Sequence, residues 1–163
     1  MRYLDAGDPE FSADCSASDV FIEYECGSQR RFLGIEVKYF ENMKETPAPF
    51  RQRYIEVAQA MGCFHEERLG ELRAAPLEQL WRNHLLVGSL AIHPSGRFDG
   101  GTFVVLYPEG NRAVALAVKR YRDCLRDDRS FSVWTLERFL AAVRSNGGQW
   151  ATAVEVRYLG SIE

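Results

Sequence analysis

The chain has 163 residues, 46% hydrophobic and 26% charged, enough to bury one core in a single ordinary globular domain. Its formal net charge of −3 and pI of about 5.7 exclude a protein that coats nucleic acid by bulk positive charge, though not an enzyme that touches it through local basic patches. No stretch approaches the roughly 18 apolar residues of a membrane span. The acidic start MRYLDAGDPEF predicts no signal peptide, and four cysteines without CxxC spacing predict reduced thiols in a cytoplasmic protein. The three histidines lack zinc-type spacing.

Residues 19–25, DVFIEYE, alternate polar and apolar side chains and predict a strand. Residues 30–40, RRFLGIEVKYF, predict a second strand, and Gly27-Ser28 between them has the chemistry of a two-residue type II′ turn. TPAPFRQRYIEVAQAMG predicts a helix started by Thr46 or the prolines, ended by Gly62, with Phe50, Tyr54, Val57, Ala58 and Met61 as its apolar stripe. PLEQLWRNHLLVGSL predicts another, with Pro76 in its first turn. A buried strand over 101–107, a helix over NRAVALAVKRYRDCL, a strand over 131–135 and a helix closed by Gly147-Gly148 follow. QWATAVEVRYL leaves helix and strand open. Trp81 and Trp134 read as core and Trp150 as a helix anchor, and His84, beside a leucine pair, reads as a satisfied buried histidine. This order predicts an α/β (α+β) sandwich around one mixed sheet, one domain over 1–163.

The turn sets a register. With Gly27 and Ser28 as loop residues, Glu25 faces Arg30 as a cross-strand ion pair, Phe21 faces Gly34, and Asp19 faces Glu36. Lys38 falls on the same face as Glu36 because side chains alternate with period two. Val20, Ile22, Leu33, Ile35, Val37 and Tyr39 form the opposite, apolar face. A slip of one residue breaks both patterns. Two neighbouring carboxylates repel, and a divalent cation between them removes the repulsion. Hard oxygen ligands with open positions describe a Mg²⁺ (or Mn²⁺) site, and an adjacent lysine can position water or steady charge on a phosphate. The chemistry this trio suits is phosphodiester hydrolysis.

Asp19 followed by Glu36-Val37-Lys38 on hydrophobic strands resembles the PD-(D/E)XK nuclease superfamily. The segments SDVFIEYE, GIEVKYFE and LEQLWRNHLL together resemble a restriction-endonuclease-like bacterial branch of it. The resemblance implies a restriction-endonuclease-like core with an antiparallel catalytic hairpin flanked by helices, acting on DNA in restriction or defence. It implies Asp19 and Glu36 as metal ligands and Lys38 as the residue that orients water. It also allows a homodimer, and Gln79 or Arg82 as accessory residues, although Glu78 lies four residues before Arg82 at ion-pair spacing. Arg51 with Arg53, and Lys119 with Arg120, are candidate DNA-binding patches that equally fit solvated helix faces. Two departures stand out. Ser18 replaces the family's proline, and the family's first helix, with its glutamate, has no counterpart in MRYLDAGDPEFSADCSAS, where Glu10 and Asp14 are the acids available. A degenerate nuclease-fold module that binds nucleic acid or a protein partner is the competing expectation.

Overall fold

The computed structural model describes residues 17–43 and 48–160. Strands β1 (Val20–Cys26) and β2 (Gln29–Val37) form the expected hairpin. Of its two loop residues only Gly27 has positive φ, at 61°, as a type II′ turn requires. The predicted register follows: Glu25 opposes Arg30, Glu23 opposes Phe32, Phe21 opposes Gly34, and Val20 opposes Ile35. One step further, the same register puts Asp19 across from Glu36. The Glu25–Arg30 ion pair does not form as expected. Arg30 leans instead to the diagonal Glu23 at 3.7 Å, whose carboxylate Arg97 also holds at 2.7 Å.

Strands β3 (Gly100–Tyr107) and β4 (Phe131–Thr135) continue the sheet in parallel, in the order β1-β2-β3-β4. Helices α1 (Gln52–Met61), α2 (Glu78–Ala91) and α3 (Arg112–Arg122) cover one face around Phe32, Trp81, Phe103, Val105 and Tyr121. Helices α4 (Leu136–Ser145) and α5 (Trp150–Tyr158) cover the other around Ile35, Val104 and Leu106. The ambiguous C-terminal stretch is therefore helical.

Both faces of β2 are covered, as parallel strands require. The charged parity of β2 is therefore buried as well as the apolar one. Val20 and Ile22, on the edge strand β1, remain about two-fifths exposed, whereas Glu36 and Lys38 are buried under the larger helical layer. Trp134, expected in the core, is only half-buried on the edge strand β4, stacked on Phe139. Trp81 is fully buried, and Trp150 opens α5 exposed.

Helix starts also differ from expectation. α1 begins at Gln52 and not among the prolines, with Phe50 outside the helix under the Arg73 guanidinium, 4.1 Å from its ring centre. α2 begins two residues after Pro76. Gly62 closes α1 with φ of 64°, its N–H donating to Ala58 O. Asn111 and Thr135 cap α3 and α4 by accepting from the Val114 and Arg138 amides.

Gly34 decides how closely α2 approaches β2. A Cβ there would stand 2.6 Å from Val87 Cγ2 and 2.8 Å from Ser18 Oγ. Gly34→Ala should cost about 1–3 kcal/mol by overpacking, read as a lower urea midpoint at unchanged m-value.

Candidate active site

The site lies at the carboxyl end of β2, where the parallel strands β2 and β3 finish. Asp19, just ahead of β1, is exposed, and its Oδ2 accepts a hydrogen bond from the Val37 N–H at 2.8 Å. This bond spans the hairpin where its ladder has ended, so the carboxylate lies against the Glu36-Val37-Lys38 backbone. Lys38 is one residue past β2, and its N–H donates to Leu106 O at 2.8 Å, holding it to the parallel ladder. Its ammonium lies 2.7 Å from Glu36 Oε1, with the residues only 4% and 6% exposed. Gln79, in the first turn of α2, donates from Nε2 to the same oxygen at 3.4 Å.

Burial pushes the Glu36 carboxyl above its ordinary value. The Lys38 ammonium opposes that shift, and the charges of Asp19 and Glu41 reinforce it. The buried lysine is thus the counter-ion of a carboxylate that water no longer stabilises. Among the described residues, no three or more His, Cys, Asp or Glu side chains converge on a metal-binding position. The oxygen donors are Asp19 and Glu36. One or two carboxylates completed by waters and phosphate oxygens is how magnesium is commonly held, so this donor set fits a hard divalent cation.

The sequence matches the family described as the PD-(D/E)XK nuclease superfamily over residues 5–160. The chain belongs to the PD-(D/E)XK nuclease superfamily. No curated protein and no solved structure matches it. Its mixed four-stranded sheet, flanked by helices and carrying Asp19 and Glu36-Val37-Lys38 on an antiparallel hairpin, is the restriction-endonuclease-like arrangement.

In this nuclease-superfamily chain, α2 brings a second polar group to the site. Arg82 pairs with Glu78 at 3.5 Å, the expected spacing, but the pair is largely buried and not on the surface. Both line a cavity of about 90 Å³ with Gln79, Met43 and Pro76. Sequence reasoning did not single out Glu78 as a buried acid. Its only signals are its place in a helix first turn, where the helix dipole favours a carboxylate, and its spacing to Arg82. Glu41 was missed as well, because it follows a strand that has already ended and no periodicity marks it.

The basic candidates separate in space. Tyr54 packs on Trp81, and Met61 lies over Gly88, so α1 and α2 run side by side in the same direction. Arg51, exposed at the start of α1, therefore sits at the end of the molecule where α2 presents Gln79. Arg53, two residues on, pairs with Glu56 at 3.0 Å. Helix α3 is capped by Asn111, which is bonded to Tyr39 and Glu41 carbonyls, and ends at Arg122, over the Phe131 ring that opens β4. Lys119 and Arg120 occupy its last turns and so lie toward the opposite end of the sheet from Glu36. Glu10 and Asp14 lie outside the described residues.

His84 is a core residue. Its Nδ1 lies 2.9 Å from the Tyr121 hydroxyl and its Nε2 2.9 Å from Ser130 Oγ, and burial holds its pKa down at about 3. No helix among the described residues is long and apolar enough to cross a membrane.

Proposed function

We propose that this chain is a deoxyribonuclease that uses Mg²⁺ or Mn²⁺ to hydrolyse phosphodiester bonds at Asp19, Glu36 and Lys38. The observation that carries this reading is the buried Glu36–Lys38 pair at 2.7 Å, aligned by the hairpin register with Asp19. Burying both charges of an ion pair is costly and adds little net stability compared with an apolar pair. Its retention at the carboxyl end of β2, despite that cost, supports a chemical role for it.

Asp19 and Glu36 would hold the cation, which supplies a Lewis acid for a phosphoryl oxygen and acidifies a bound water. The Val37 amide orients the Asp19 carboxylate, and Gln79 with Lys38 orients Glu36. With a cation held at Glu36, Lys38 would hold the attacking water and steady the negative charge that grows on the phosphate. Arg51, at the same end of the molecule, would meet the DNA backbone.

Cation binding provides the test. Adding Mg²⁺ should raise the melting temperature and drive plasmid cleavage in the wild type, and Asp19→Asn should lose both effects. The second reading, a degenerate module, is favoured by the lack of a third converging acid among the described residues. It requires that neither Mg²⁺ nor Mn²⁺ changes stability or cleaves DNA. For backbone contact, Arg51→Ala should weaken binding about equally across DNA sequences and reduce the salt slope by about one.

A further inference from the structure

Arg73 ends a single 3₁₀ turn over Glu71–Arg73 and places its guanidinium carbon 4.1 Å from the centre of the Phe50 ring. Both side chains reach solvent, Phe50 being 43% exposed. The ring is nonetheless anchored to the core. It meets the buried Tyr54 edge-to-face at 6.0 Å, and Tyr54 meets the buried Trp81 in the same way at 5.8 Å. The stack also stands beside the site. Ala48 and Ala75, each two residues from one of its members, line the cavity shared with Gln79, whose amide is bonded to Glu36. Arg51 follows Phe50 directly, so two arginines meet at this edge of the molecule.

The acids nearest to these two arginines along the chain are engaged elsewhere. Glu56 pairs with Arg53 at 3.0 Å, Glu71 with Arg68 at 2.9 Å, and Glu78 with Arg82 at 3.5 Å. The first turn of α1 carries no acid. Arg51 and Arg73 therefore bring positive charge that no carboxylate of these segments cancels, next to a site proposed to act on a polyanion. A guanidinium stacked on a ring gives up one face, while its N–H donors lie in its own plane and stay open. Phosphate oxygens match that fork in pairs. Stacking also restricts the rotamers that a free arginine would surrender on binding, so less freedom is lost when a phosphate arrives.

We propose that Arg73, held on the Phe50 ring, binds a backbone phosphate of the DNA strand that reaches the site past Gln79, with Phe50 as its positioning residue. This rests on the nuclease reading above and deepens it by tracing where the substrate lies. The probes are two duplex oligonucleotides of unrelated sequence, titrated with the full chain in Ca²⁺ over a range of salt, with cleavage in Mg²⁺ and Mn²⁺ measured in parallel. Arg73→Ala should weaken binding to both duplexes about equally, by roughly three- to tenfold, and reduce the slope of log affinity against log salt by about one. Arg73→Lys keeps the charge without the fork, so it should keep the slope and recover only part of the affinity. Phe50→Leu should weaken binding when Arg73 is present and have no further effect in the Arg73→Ala background. Arg73 is exposed, so Arg73→Ala should melt close to the wild type. Unchanged affinity and slope in Arg73→Ala would overturn the inference and leave cleavage to judge the nuclease reading separately. A Phe50→Leu loss that persists without Arg73 would overturn the positioning role of the ring. Arg73-dependent binding by a chain that cleaves nothing would uphold the contact and overturn the nuclease reading.

Discussion

Glu36→Gln and Lys38→Ala should each lower Mg²⁺-dependent plasmid cleavage by roughly 10²–10⁴-fold, because each removes a charge placed where the reaction develops its own. The two variants differ in stability. Lys38→Ala leaves a buried carboxylate without its counter-ion and should cost about 3–5 kcal/mol in metal-free buffer. Glu36→Gln keeps a neutral acceptor for Lys38 and Gln79 but leaves the ammonium buried, so it too is destabilising. The double variant Glu36→Gln/Lys38→Met removes both charges and should recover most of the stability without any of the activity. Cleavage that returned with stability in the double variant would show that the pair only supports the fold.

The Glu36 pair also predicts a pH dependence with a definite sign. The folded carboxyl titrates above its ordinary value of 4.5, so from that pH upward the folded chain binds its proton more tightly than the unfolded chain. Wild-type stability, measured relative to Glu36→Gln without metal, should therefore fall as pH rises through that window and level off once the folded group has ionised. Saturating Mg²⁺ should flatten the slope, since a cation stabilises the ionised form.

Acidification should destabilise the protein through His84 by on the order of 5 kcal/mol once titration is complete, because each tenfold loss of proton affinity on folding is worth about 1.36 kcal/mol. The buried ring, bonded to Tyr121 and Ser130, has its pKa lowered from 6.5 to about 3. Below pH 6.5 the unfolded chain takes up a proton that the folded chain refuses, so stability is lost progressively between 6.5 and about 3. Urea midpoints measured from about pH 7 to about pH 4 should show this slope in the wild type. His84→Gln should be weaker at neutral pH, with the tyrosine and serine hydroxyls imperfectly paired, and should lack the His84 share of the slope. An unchanged slope in that variant would remove His84 from the acid response.

Much of the site was legible in the sequence because its rules are local. A Gly-Ser turn admits one register, and period-two alternation carries that register from Glu25 opposite Arg30 back to Asp19 opposite Glu36. The αL residue Gly62 and the caps Asn111 and Thr135 are equally local. Even the satisfied state of His84 followed from its apolar neighbours, although its partners Tyr121 and Ser130 lie far along the chain.

The burial of the pair was a tertiary decision. Strand β3, some sixty residues downstream of β2, inserts in parallel beside it and makes it an interior strand. Helix α2 then settles on the Glu36 face because Gly34 leaves room for Val87, and with it come Gln79 and the Glu78–Arg82 pair. No periodicity within β2 distinguishes a face that meets water from one that meets a helix, because both present the same alternation. The sequence by itself determined which groups share a face, since that depends on the nearest backbone. The tertiary structure determined that Glu36 and Lys38 are buried on this face while Asp19 stays exposed, since burial depends on chain segments brought together from far apart.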